Sequence, residues 1–129
     1  MTSDVRVRLS TLWIVVMFNM LYADVLGFLN ADFLRGLLDG YAENVRISQP
    51  LLVGSALMVE IPILMVLLSR TLSPVVNRRI NFVAVPLTAA FVVGGGSTRP
   101  HYLVLATVEL ALLALIGWQA WRWRYPTAQ

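Results

Sequence analysis

The sequence has no cysteine, no lysine and a single histidine among its 129 residues. Without cysteine there are no disulfides, thiolate metal sites, iron–sulfur clusters or cysteine nucleophiles. One imidazole, His101, does not make a multi-histidine metal site. The expectation is therefore no metal and no cofactor. Charge is scarce as well: 13% of residues are charged, 58% are hydrophobic and the mean hydropathy is +0.73. Soluble domains carry about 25% charged residues, because a small globule has much surface to coat. A soluble globule is excluded. The net charge of +3 rests wholly on arginines lying between apolar runs. That pattern belongs to membrane topology, and no nucleic-acid partner is expected.

What the sequence does contain is four apolar runs, over residues 9–29, 51–69, 80–96 and 101–122. Runs of about 18–21 residues, at 1.5 Å per residue, span about 27–32 Å, the thickness of a hydrocarbon core. The third is the weakest. It crosses if Gly95, Gly96 and Ser97 continue the helix or if the bilayer thins locally, with Pro86 as a kink; the alternative is a re-entrant segment. The fold expected is all-α, a single-domain integral membrane four-helix bundle.

Arg6, Arg8, Arg70, Arg78, Arg79, Arg122 and Arg124 fall on one side of such a bundle, and Arg35, Arg46 and Arg99 on the other. The positive-inside rule then puts both termini in the cytoplasm of a membrane that the chain crosses several times. Trp118, Trp121, Trp123 and Tyr125 would form an interfacial belt. A signal peptide is a poor account of the first run, which is long and holds Asn19 and Asp24. The two halves of the chain share no repeated motif, so an inverted-repeat transporter gains no support.

Residues 31–46 carry Phe33, Leu34, Leu37, Leu38, Tyr41 and Val45 at helical spacing, which predicts a short amphipathic helix in the first outer loop. It is either a linker covering the bundle or a lid over an outward pocket. Ser48-Gln49-Pro50 reads as a cap with proline near the first helical position, and Ser97, Thr98 and Pro100 open the fourth run similarly.

An ordered set of residues then carries a resemblance: Leu12-Trp13-Ile14, Asn19 with Tyr22-Ala23-Asp24, Glu60-Ile61-Pro62, Ser69-Arg70, Asn77-Arg78 with Asn81, and His101-Tyr102. Over nearly its whole length the chain resembles an uncharacterised family of small four-span bacterial membrane proteins, a domain of unknown function. The resemblance implies a fold, placed in a bacterial inner membrane, and no activity. It points to Asn19, Asp24, Glu60, Arg78, Asn81 and Glu109 as the polar positions of interest.

Carboxylates inside a membrane cost about 2.5–3.5 kcal/mol each on insertion scales, so Asp24, Glu60 and Glu109 are candidates for function. Counted from the outer ends, Glu60 lies about 15 Å deep, Glu109 about 12 Å, Asn19 about 16 Å, Tyr22 about 12 Å, Thr88 about 10 Å and Asp24 about 9 Å. Each span thus offers a polar group to one layer, with Arg99 and His101 at its mouth. Tyr102 and Glu109 share a helical face, as do Asn81 and Thr88, whereas Asn19 and Asp24 do not. Pro62 frees the Met58 carbonyl beside Glu60. Thr107, Ala111 and Ala114 form a small-residue stripe, and Asn77, Arg78, Arg79 and Asn81 suit either topology or an anionic headgroup.

These groups are either interhelical hydrogen-bonding glue or a working pocket. As a pocket, Glu60 and Glu109, with Asp24, would serve as acid and base on a lipophilic small molecule, in isomerisation, cyclisation or epoxide opening. Asn19, Tyr22, Thr88, His101 and Tyr102 would hold the substrate. The alternatives are a proton-coupled exporter working as a homodimer and an accessory subunit of a larger membrane assembly.

Overall fold

The computed structural model of the chain describes residues 2–43, 45–94 and 99–123. Its elements are α1 (Thr2–Phe28), α2 (Ala31–Leu38), β1 (Tyr41–Ala42), β2 (Val45–Arg46), α3 (Gln49–Thr71), α4 (Pro74–Gly94) and α5 (Pro100–Arg122). Helices α1, α3, α4 and α5 are each long and apolar enough to cross a membrane. They form a closed ring in which α1 packs on α3 and α5, and α4 packs on the same two. Arg8 Nη1 donates to Gln119 Oε1 at 3.0 Å, so the start of α1 and the end of α5 lie together.

Each long helix turns a narrow seam inward. Leu9, Trp13 and Val16 of α1 are buried, as are Pro62, Met65 and Ser69 of α3, and Glu109, Leu113, Ile116 and Ala120 of α5. These spacings of three and four are the bundle pattern, and in lipid such contacts hold by close packing and hydrogen bonds. The α4 seam is mostly polar: Asn77, Asn81, Ala84, Thr88 and Val92. Outward, the helices present Phe18, Leu57, Val83 and Val104 among many exposed apolar side chains.

Four expectations need correction. Helix α4 begins at Pro74, ahead of the apolar run that starts at Ile80, and continues unbroken past Pro86. Its first turns are polar because Asn77 and Asn81 serve the interior: Asn77 Nδ2 donates to the Ser69 carbonyl at 2.7 Å. That geometry also overturns the headgroup reading for both asparagines, which are fully buried. Residues 31–46 are not one helix. Asn30 caps α2, its side chain accepting from Phe33 N, and the helix stops at Leu38. Gly40 at φ 92° and Glu43 at φ 54° take left-handed backbone, which turns the chain into the β1–β2 hairpin. Trp123 is buried in the core instead of joining a belt, while Trp118 and Trp121 are exposed. Tyr125 and the 95–98 segment lie outside the described residues.

Ser48 caps α3 as the Ser-Gln-Pro pattern predicts, its hydroxyl accepting from Leu51 N at 3.3 Å. Helix α5 differs, since Arg99 occupies the capping position and Pro100 the first turn, without a side-chain cap.

Candidate functional site

A recess of about 520 Å³ lies where α1, α3, α4 and α5 meet the hairpin end of the bundle. Its walls are apolar, including Met20, Val59, Phe91 and Val92, and its polar lining includes Asp24, Glu43, Arg99, His101, Tyr102 and Glu109. Glu109 is only 2% exposed. Seven residues bring Tyr102 and Glu109 onto one face of α5, so both line the recess.

Asn19 holds Glu109 in place. Its Nδ2 donates to Glu109 Oε2 at 2.9 Å and to the Leu105 carbonyl at 2.6 Å. The other carboxylate oxygen, Oε1, is buried and has no hydrogen-bond partner among the described residues. A buried polar atom without a partner costs about 1–3 kcal/mol. The Tyr102 hydroxyl is engaged elsewhere, donating to the Val92 carbonyl at 2.7 Å.

The mouth is tied by Arg99. Its guanidinium donates to Glu43 at 2.9 Å and to Asn30 Oδ1 at 3.0 Å, and stands 6.0 Å from the Phe33 ring centre. One side chain therefore joins the start of α5, the cap of α2 and the hairpin.

Four of the expected site residues do not line the recess; one of them, Asn19, touches it only through its bond to Glu109. Glu60 is exposed, so an acid–base pair of Glu60 and Glu109 is not formed. The reason is rotational: Glu60 stands two residues before buried Pro62, about 200° around the helix from it. Tyr22 is 57% exposed and faces outward. Thr88 is fully buried in the α4 seam, its hydroxyl lacking a partner among the described residues, and it does not line the recess. The stripe of Thr107, Ala111 and Ala114 also faces outward.

A second polar cluster, which the sequence reading did not assemble, links all four long helices in the other half of the bundle. Trp13 Nε1 donates to Asn81 Oδ1 at 2.9 Å; Asn81 Nδ2 donates to the Asn77 carbonyl and side chain at 2.9 and 2.8 Å. Ser10 Oγ donates to the Val66 carbonyl at 2.7 Å. Arg78 caps the end of α5 through the carbonyls of Ala120 and Trp121. The sequence signal was the four-residue spacing of Asn77 and Asn81, one helical turn.

Four apolar helices of spanning length make the chain a multi-pass membrane protein in class. Over residues 2–128 it matches the model of the family of unknown function DUF6326, and it belongs to that family. No curated protein and no solved structure matches it.

Proposed function

We propose that the chain is a binding protein for a small lipophilic molecule with a hydrogen-bond-donating or basic head, held with its head at Glu109. One observation carries the reading: a buried carboxylate among the residues lining an apolar-walled recess, with Asn19 on one oxygen and no described partner on the other. Asp24 and His101 line the same recess and supply further acid–base groups. On this reading any proton-transfer chemistry, such as isomerisation or epoxide opening, uses Glu109 with Asp24 and does without Glu60.

The arginine distribution supports placing both termini in the cytoplasm of a bacterial inner membrane, with the recess opening outward. The arrangement of Arg99, Glu43 and Asn30 supports reading the hairpin as its cover.

The test is native mass spectrometry of the purified chain. A co-purifying lipophilic adduct on wild type that disappears in Glu109→Gln, while Glu60→Gln retains it, is the expected result. Adduct-free wild type, or an adduct equally retained by Glu109→Gln, overturns the proposal.

A further inference from the structure

Helix α3 is the most apolar of the four long helices and the least buried. Its only ionisable side chain short of the last turn, Glu60, sits at the middle of the Gln49–Thr71 helix. Glu60 is exposed and makes no hydrogen bond among the described residues. In the membrane that places a carboxyl group against hydrocarbon near mid-depth, with no water to solvate it. Intramembrane ionisable groups almost always face a bundle interior or a partner.

The surroundings of Glu60 have a regular spacing. Val53, Leu57, Glu60, Leu64 and Leu67 follow one another at intervals of four, three, four and three, and all five are exposed. At about 100° per residue they fall within an arc of about 80°, opposite buried Pro62, Met65 and Ser69. This is the seam along which two helices interdigitate, four turns long.

We infer that this face of α3 binds the same face of a second copy of the chain, and that Glu60 meets the partner copy's carboxyl group there. The choice of occupant follows from symmetry and depth. All copies inserted by the same topology run in the same direction, so a two-fold axis along the membrane normal brings equal depths together. The side chain opposite Glu60 is then another carboxyl group. A carboxyl group that carries a proton both donates and accepts, so one such group satisfies the other through an O–H···O bond. The apolar flanks above and below are likewise identical, and so self-matching.

The absence of native cysteine makes the test direct. Single substitutions Leu57→Cys and Leu64→Cys on the seam are compared with Val83→Cys on α4 and Ala111→Cys on α5, in full-length chain reconstituted in phospholipid vesicles and mildly oxidised. The expected result is disulfide-linked dimer from Leu57→Cys and Leu64→Cys, at least about tenfold faster than from the two controls. On the unsubstituted background, Glu60→Leu weakens self-association about three- to thirty-fold, the range of a single interhelical hydrogen bond in lipid, whereas Glu60→Gln retains it, since an amide also donates and accepts.

The cross-linking arm leaves Glu60 intact and so does not depend on the folding of its variants. Equal rates at all four positions, or faster linkage through Ala111→Cys, overturn the inference. So does cross-linking of the seam cysteines to a different membrane protein in native membranes with no self-linked dimer. A self-association that Glu60→Leu leaves unchanged removes Glu60 from the interface and overturns the pairing.

Discussion

The Asn19 amide on α1 and the Glu109 carboxylate on α5 are joined at 2.9 Å, and the same nitrogen reaches the Leu105 carbonyl one turn earlier at 2.6 Å. Two helices far apart in sequence are thereby fixed in both rotation and depth at one point. Because Glu109 is almost wholly enclosed, this contact is also what keeps its carboxylate from being stranded.

Replacing Asn19 by Ala leaves both oxygens of Glu109 without a described partner, and the expected loss of stability is about 1–3 kcal/mol. Glu109→Gln keeps an acceptor facing Asn19 and costs less. The check is a double-mutant cycle read by denaturation from mixed micelles, with an expected coupling of about 0.6–1.7 kcal/mol between the two positions. Additive effects would show that the two side chains act independently.

The Trp13–Asn81–Asn77 chain carries a larger load. Asn81→Ala strips the acceptor from the buried Trp13 indole and the donor from Asn77 at once, so a loss of about 2–4 kcal/mol is expected. Ser10→Ala removes one hydroxyl donor to the Val66 carbonyl, a group already bonded within α3, and costs about 1 kcal/mol or less. The same unfolding assay ranks the two variants, and the reverse order would refute the network as the stronger tie.

Arg99 connects the hairpin to the bundle with a forked guanidinium, and lysine cannot reproduce that geometry. The Arg99–Glu43 side chains are 27% and 33% exposed, so solvent screening limits the pair to about 1 kcal/mol or less. Arg99→Lys should therefore leave the four long helices intact and speed amide hydrogen exchange across residues 31–47 by up to about fivefold. Exchange that rises equally throughout the bundle would assign Arg99 a global role.

The sequence was most informative where length decides and least where rotation decides. Apolar runs give four helices because each must cover a hydrocarbon core. Tyr102 with Glu109, and Asn81 with Thr88, could be placed on common faces because seven residues are nearly two full turns. Glu60 was misplaced because depth along a helix says nothing about its angle, and α3 is apolar on all sides, leaving no polar stripe to mark the outside. The start of α4 was missed for the converse reason: Asn77 and Arg78 look like loop residues by hydropathy, yet both are consumed by backbone carbonyls of neighbouring helices. The hairpin escaped the periodicity reading because Gly40 and Glu43 reverse the chain through left-handed backbone within a stretch whose side chains keep helical spacing.

The proposed orientation in the membrane rests on where the arginines gather. Arg8 lies beside Gln119, and Arg78 caps the end of α5 next to Arg122, so one end of the bundle collects the arginines that flank α1, α3, α4 and α5 there. At the hairpin end the charges are offset: Arg35 pairs with Asp32, and Arg99 with Glu43. Arginine in short loops near span ends resists translocation, while carboxylates contribute little, so the unequal arginine count is the quantity that matters. A fluorescent protein fused after Gln129 should fluoresce, and alkaline phosphatase fused there should be inactive. Phosphatase inserted in the hairpin after Glu43 should be active. Removing Arg6 and Arg8 alone should not invert the chain, because Arg70, Arg78 and Arg79 near the α3–α4 junction, with Arg122 and Arg124 further along the chain, still outnumber the three at the other end. An active phosphatase at the C-terminus of the unsubstituted chain would reverse the assignment and place the mouth of the recess in the cytoplasm.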